Sequence, residues 1–191
     1  MASKIESRIL DRAIELFADF GYFGVTTRDL AKKAKVTEGS IYRLFRSKEN
    51  LFEEALHAAI SRSLDPAQFL YMVFEGQGKQ DFTSLATVAV RRWYFSLPQP
   101  SARLLTQAYF ADAKWRKIAY GPIDKIIEIL TKVMEKEQPK AKKFSASTAA
   151  RALIMALMHF KITYASEYSE KEEKAVVEGM VGQWLHGLPI G

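Results

Sequence analysis

Apolar residues in the first part of the chain recur every three or four positions, which is the spacing of one helix face. Ile5, Ile9, Ala13, Phe17 and Phe20 follow this pattern, and the pattern stops at Gly21. Glycine readily adopts the positive φ that often ends a helix. The pattern therefore predicts a first helix over Ser3 to Phe20.

Three capping residues divide the next segment into short helices. Thr26 precedes Asp29 by three positions, which is capping-box spacing, and Thr37 and Ser47 are further N-cap candidates. We predict helices over Thr27 to Ala34, Glu38 to Phe45 and Lys48 to about Ser63, with a turn of about three residues between the first two. Two short helices in this arrangement have the form of a helix-turn-helix.

Beyond Pro66 the apolar segments are longer and do not alternate with period two, so they indicate helices rather than strands. The limits of these helices are set by helix-breaking glycines and prolines, including Gly121-Pro122, and by N-cap candidates at Ser145 and Ser169. The predicted helices lie near residues 67–75, 81–96, 101–119, 122–137, 145–168 and 169–186. The fold class is all-α with about nine helices, divided into a domain over residues 1–47 and a helical domain over residues 48–191.

Composition excludes several classes of site. The 191 residues contain no cysteine and only three histidines, none of which forms a short metal-ligand pair. No nucleophile elbow or glycine-rich phosphate loop is present, so we predict no enzyme activity, no metal and no cofactor. No apolar run reaches the length of a membrane helix, and charges interrupt the N-terminus where a signal peptide would need an apolar run. We therefore expect a soluble, cytoplasmic protein.

Positive charge is concentrated in the predicted helix-turn-helix. Residues 26–48 contain seven basic and two acidic residues, a net charge of +5 out of +6 for the whole chain. A solvated helical hairpin can carry lysines without binding anything, but clustering of this degree suits contact with phosphates. The charge distribution thus favours binding to double-stranded DNA.

The same segment resembles the tetracycline-repressor (TetR) family of transcriptional regulators. The resemblance rests on Thr26-Thr27-Arg28-Asp29-Leu30-Ala31, Ala34, Val36-Thr37, Gly39, Tyr42, Phe45, Lys48-Glu49 and Leu51, about a quarter of the chain. Lys35 departs from the pattern, because the family usually has glycine there. Either Lys35 takes a strained conformation or the second helix ends differently.

DNA-contact residues follow from position, chemistry and the resemblance. Thr27 can offer its hydroxyl and amide to a phosphate, and Gly39 and Ser40 lie at the head of the third helix, where a groove would approach. Tyr42 and Lys48 match backbone-contacting positions of the family, although Tyr42 could instead pack partly in the core. The predicted contacts are Thr27, Arg28, Lys35, Thr37, Gly39, Ser40, Tyr42, Arg43 and Lys48.

The resemblance also implies a repressor that binds a palindromic operator as a homodimer through its last two helices and is released by a small-molecule effector. Residues 69–120 are rich in aromatic side chains, which suits an apolar or aromatic effector. Arg92 and Gln107 could orient such a ligand. The candidate effector-binding residues are Phe69, Trp93, Phe110, Trp115 and His159.

Two alternatives stay open at this stage. An enzyme could use His159, Tyr164 or Glu167 for acid–base chemistry, although no motif supports it. An architectural DNA-binding protein would use the same basic cluster without discriminating among base sequences. A preference for particular operator sequences would separate a regulator from the latter.

Overall fold

The computed structural model describes residues 4–62, 82–137 and 143–186. Within these ranges the regular structure is helical, with nine α-helices and one 3₁₀ turn and no strand, which confirms the predicted all-α class. The elements are α1 (Lys4–Gly24), α2 (Thr27–Ala34), α3 (Glu38–Phe45), α4 (Lys48–Ser61), α5 (Phe82–Ser96), α6 (Gln99–Ala111), α7 (Ala113–Glu137), α8 (Lys143–Thr163), the 3₁₀ turn (Ala165–Glu167) and α9 (Glu170–His186). The helix predicted near residues 67–75 lies outside the described residues.

The chain divides into two compact units. The first contains Met1–Arg62 and Pro98–Gly121, and the second contains Ser63–Leu97 and Pro122–Gly191. The first unit thus includes α4 and α6 in addition to residues 1–47. The predicted boundary after residue 47 separates a DNA-binding domain from an effector-binding and dimerisation domain, and it stays a prediction.

The core of the first unit is formed mainly by α1, α4 and α6. Ile9, Phe17, Leu51, Phe52 and Leu104 are almost completely buried there, and the rings of Phe17 and Phe52 meet edge to face at 4.9 Å. Each such side chain contributes about 1.5–3 kcal/mol by leaving water. This packing holds the short helices α2 and α3 on a rigid support.

The limits of α1 and of the middle helices differ in part from the predictions. Helical geometry breaks at Gly21 as expected, with φ 71° and ψ 170°, but one further turn continues α1 to Gly24. The predicted break at Gly121-Pro122 is wrong, because α7 runs through Pro122. The break lies at Asp112, whose extended backbone separates α6 from α7 and whose carboxylate accepts a hydrogen bond from the Lys114 amide at 2.7 Å. That cap stabilises a helix start at Ala113, and Pro122 removes only one hydrogen bond from a long helix.

The second unit packs α9 against α5 and α8. Trp93, Leu157, Val177 and Val181 are buried in its core. The helix predicted over residues 145–168 is shorter in the structure, where α8 ends at Thr163 and the 3₁₀ turn leads to α9. The predicted cap at Ser169 is confirmed, because Ser169 and Glu172 exchange hydrogen bonds at the start of α9.

Candidate nucleic-acid interface

Capping interactions determine where α2 and α3 begin. The Thr26 hydroxyl accepts from the Asp29 amide at 3.2 Å, and the Asp29 carboxylate accepts from the Thr26 amide at 3.0 Å. Hydrogen bonds from the Thr26 hydroxyl and amide hold the pKa of the Asp29 carboxyl below its usual value. The Thr37 hydroxyl accepts from the Ser40 amide at 3.2 Å in the same way. At both helix starts, amides that have no partner within the helix thus donate to side chains of the same segment.

The turn between the two helices depends on a left-handed residue. Lys35 has φ 53° and ψ 51°, and its amide donates to the Lys32 carbonyl at 3.2 Å while the Val36 amide donates to the Ala31 carbonyl at 3.0 Å. The first of the two alternatives for Lys35 is therefore correct. A lysine in this conformation costs about 1–2 kcal/mol relative to glycine, and it directs a cation into solvent at the turn.

Burial separates the supporting residues of the motif from its solvent-facing residues. The positions of the apolar residues in the two helices and their turn predict a core formed by Leu30, Ala31, Ala34, Val36, Ile41, Leu44 and Phe45. All of these except Val36 and Leu44 are buried. Val36 is half-buried. The prediction for Leu44 is wrong, because its side chain is 37% exposed and lies toward the solvent side of α3.

Six of the nine predicted contact residues are exposed and the other three are half-buried. The exposed ones are Arg28, Lys35, Thr37, Gly39, Tyr42 and Arg43, and the half-buried ones are Thr27, Ser40 and Lys48. Arg46, at the end of α3, is also exposed. The motif therefore offers solvent a surface of amide, hydroxyl and cationic donors, all of which suit phosphate oxygens and base edges.

Hydroxyl groups connect α2 with α3 on this surface. The Thr27 hydroxyl donates to Glu38 Oε2 at 2.9 Å and lies 3.3 Å from the Tyr42 hydroxyl. The Ser40 hydroxyl is 2.9 Å from that of Thr37. Sequence reasoning identified Thr27 and Tyr42 separately but missed Glu38, which accepts the hydrogen bond from Thr27. The presence of an acidic residue inside a basic cluster was a signal that could have identified it.

Gly39 occupies the second position of α3. A Cβ built on its backbone would meet nothing closer than the Thr37 hydroxyl oxygen at 3.8 Å, and its φ is not positive. The protein itself therefore has room for alanine, which is favoured over glycine in a helix by up to about 1 kcal/mol. The absence of a side chain leaves the head of α3 open to close approach from outside.

Lys48 makes contacts that the sequence could not indicate. Its ammonium donates to the carbonyl oxygens of Tyr22 and Val25, both at 3.0 Å, and lies 4.3 Å from the centre of the Tyr22 ring. Lysine has three donor hydrogens, so one remains for a phosphate. In the free protein Lys48 thus connects the start of α4 to the last turn of α1 and to Val25, which follows α1.

The predicted effector-binding residues are not gathered in one unit. Phe110 and Trp115 belong to the first, where Phe110 is 77% exposed and Trp115 is buried against Tyr22 and Phe52. Trp93 and His159 belong to the second, with Trp93 buried and His159 exposed. Phe69 lies outside the described residues. The effector site stays a prediction.

Two kinds of site that serve other functions are absent from the described residues. No group of three potential metal ligands occurs there. None of the described helices combines the length and apolar composition that a membrane crossing requires.

Comparisons with known proteins agree with the geometry of the motif. Residues 9–55 match the family described as bacterial regulatory proteins, tetR family. The biofilm operon icaADBC negative transcriptional regulator IcaR of Staphylococcus aureus (strain Newman) is 22% identical over 172 residues, which cover 88% of this chain and 90% of IcaR.

Two solved structures show the same fold. A TetR-like transcriptional regulator from Rhodococcus sp. RHA1 matches with a TM-score of 0.74 and 18% identity, over 98% of this chain and 99% of that one. FadR from Bacillus subtilis, solved in complex with stearoyl-CoA, matches with a TM-score of 0.68 and 16% identity, over 95% of this chain and 98% of FadR. The family match over residues 9–55, the similarity to IcaR and the shared fold together support a regulator of the TetR family.

Proposed function

We propose that this protein is a homodimeric repressor that binds a palindromic operator through α2 and α3 and is released by a small-molecule effector. The observation that carries the proposal is the solvent-facing surface of α3, where Gly39 leaves room for a close approach and Tyr42 and Arg43 are exposed beside it. Proteins of this motif place the second helix in the major groove. The protein acts as a regulator rather than as an enzyme.

Each surface residue has a role in this proposal. Thr27 and Tyr42 bind a backbone phosphate with their neighbouring hydroxyls, and Lys48 adds its third donor. Gly39 and Ser40 approach the base edges, and Arg28 reaches a base or a phosphate. Lys35, Thr37 and Arg43 bind the flanking backbone. Phosphate contacts fix the register, and base contacts select the sequence.

Dimerisation is proposed through α8 and α9. Ala152 and Ala156 on α8 and Ala175 and Gly179 on α9 are exposed. A Cβ built on Gly179 or Gly182 would have no neighbour within 4 Å in this chain. Glycines inside a helix destabilise it by about 1 kcal/mol each, so open glycines suit close packing by a second copy. Two copies related by a two-fold axis match a palindromic operator.

Repression and effector release are supported by the relatives. IcaR is a negative regulator, and FadR was solved with stearoyl-CoA bound. A ligand can bind preferentially to a dimer whose two helix-turn-helix motifs are spaced so that they do not fit adjacent major grooves. Such a ligand would release the operator. Phe110 and His159 are exposed, so the support for the effector site comes from the relatives more than from the structure.

Selection of random duplex DNA by the full-length protein, followed by sequencing of the bound pool, tests the proposal. We expect an inverted repeat whose half-sites are about one or two helical turns apart. A bound pool without any sequence preference would instead indicate an architectural DNA-binding protein, and an absence of binding at low salt would refute DNA recognition altogether. DNA binding by the Arg43→Ala variant is compared with DNA binding by Lys125→Ala. Lys125→Ala is the matched control, because Lys125 is an exposed cation on α7 in the second unit.

A further inference from the structure

A cleft opens in the first unit beside the last turn of α1. It has a volume of about 230 Å³ and is lined by Phe20, Gly21, Tyr22, Phe23, Gly24, Phe52, Gln107 and Ala111. Four of these eight residues are aromatic. Phe20 and Phe23 are 63% and 87% exposed, whereas Phe52 is buried at the inner side. An apolar cavity of about 150 Å³ is enough to hold benzene, so this cleft has room for a larger aromatic ring system.

Gln107 supplies the cleft with an unused hydrogen-bond acceptor. Its amide Nε2 donates to the Ala18 carbonyl at 2.8 Å, which fixes the orientation of the side chain. Its Oε1 is buried and has no hydrogen-bond partner. A buried acceptor without a partner destabilises a protein, because it has lost its hydrogen bonds to water and gained none in return. A donor that enters the cleft would remove that penalty.

Gly21 places no side chain beside the acceptor. At φ 71° and ψ 170° Gly21 adopts a conformation that side chains strongly disfavour. A Cβ at this position would lie 3.7 Å from Gln107 Oε1. The glycine therefore permits the break in α1 and leaves the position next to the acceptor without a side chain.

We propose that this cleft binds a small aromatic molecule with one N–H or O–H donor, which stacks among the phenylalanine rings and donates to Gln107 Oε1. Apart from Gln107, which was named above as able to orient an effector, no residue proposed for the effector or the operator lines the cleft. The site is therefore additional to the proposed function, and its occupancy does not depend on DNA binding. Mixed aromatic lining with one convergent polar group is typical of small-molecule sites.

An occupant would also contact the support of the DNA-binding helices. Tyr22 lines the cleft, and its carbonyl oxygen and ring both contact the Lys48 ammonium. The Tyr22 ring lies 4.6 Å from the ring of Trp115. A ligand against Tyr22 thus adjoins the segment that leads from α1 into α2, and the site is a place where a metabolite can influence DNA binding.

Indole and indene form a matched pair of probes, because they share size and shape and only indole has an N–H donor. We expect isothermal titration calorimetry of the full-length protein, without DNA, to show that indole binds and that indene binds about 3- to 10-fold more weakly, the value of one neutral hydrogen bond. Amide NMR signals of Gly21 and Gly24 should shift with indole. Equal binding of both probes, or binding of neither, would overturn the proposal.

Variants locate the binding. Gln107→Met should weaken indole binding to the indene level, and Ala111→Leu should weaken it by placing a larger side chain at the cleft. Ala113→Leu adds the same side chain at an exposed position that does not line the cleft, and it should bind indole like the unmodified protein. Unfolding measurements identify any variant that has lost the fold. Indole binding retained in Ala111→Leu together with unshifted Gly21 and Gly24 signals would assign the binding to another site and overturn the proposal.

Discussion

The ammonium group of Lys48 donates to the carbonyl oxygen of Tyr22 at 3.0 Å and lies over the ring of the same residue. A cation that sequence reasoning assigned to DNA is thus also part of the fold of the DNA-binding unit. It reaches across 26 positions of sequence to fix the end of α1 relative to the start of α4. The two roles can be measured separately.

Replacement of Lys48 by methionine should change both stability and DNA binding. Loss of two charge-assisted hydrogen bonds should lower the free energy of unfolding by about 2 kcal/mol. Loss of one phosphate contact should lower the slope of log affinity against log salt by roughly 1, for all DNA sequences. Urea unfolding and salt-dependent DNA titration check the two effects, with Lys125→Met as control. A destabilised variant with an unchanged salt slope would restrict Lys48 to its structural role.

Replacement of Glu38 by glutamine should strengthen DNA binding. Glu38 is exposed within the basic surface, and glutamine keeps an acceptor for the Thr27 hydroxyl while it removes the negative charge. Relief of about 1 kcal/mol of repulsion corresponds to about fivefold tighter binding at low salt. Glu54→Gln on α4 is the control for net charge. The gain should shrink as salt is added, and weaker binding would show that the Glu38 carboxylate is needed at the interface.

The Gly39→Ala variant should separate stability from recognition. We expect the free energy of unfolding to rise by up to about 1 kcal/mol, because the structure has room for the methyl group and alanine favours helix. Operator affinity should fall about tenfold or more, since a methyl group at a close contact costs about 1–3 kcal/mol. Undiminished affinity would mean that DNA does not approach this part of α3 closely.

A charge on α8 should dissociate the proposed dimer. Ala156→Glu places a carboxylate in the face proposed to pack against the second copy, where it would lose water without a partner. Sedimentation analysis should then show a shift from dimer to monomer. Val88→Glu, at a 43% exposed position of α5, introduces the same residue in the same unit outside that face. A dimer that survives Ala156→Glu would place the interface elsewhere.

The Asp29 cap should make stability depend on acid pH. Hydrogen bonds from Thr26 lower the pKa of Asp29 in the folded state, so its contribution is fully present above the ordinary pKa of about 3.9 and is lost as the pH falls through the lowered value. Asp29→Asn should therefore show a smaller loss of urea midpoint than the unmodified protein as the pH falls from about 5 to 3. An identical pH dependence would exclude this cap as a contributor.

The limits of the short helices were readable from the sequence because local interactions determine them. Thr26, Thr37 and Ser47 cap the helices they precede, and Gly21 breaks α1 where expected. The limits of the central helices were not readable in this way, because Asp112 could cap a helix and Pro122 could break one. The balance between a long helix and one lost hydrogen bond decided the outcome, and the helix runs through Pro122. The same limit applies to Leu44, whose helical position allowed burial but whose actual neighbours leave it partly exposed.

The sequence by itself determined the all-α class, the two helices of the helix-turn-helix, the concentration of positive charge there and the resemblance to the TetR family. These depend on residue spacing and on interactions among near neighbours. The tertiary structure alone decided that the Lys48 ammonium binds the Tyr22 and Val25 carbonyls, that Glu38 lies beside Thr27, and that Gln107 leaves an acceptor in an aromatic cleft. The physical reason is that these contacts join atoms from segments of the chain that are separate in sequence. The packing of those segments in three dimensions sets distances that the order of residues does not contain.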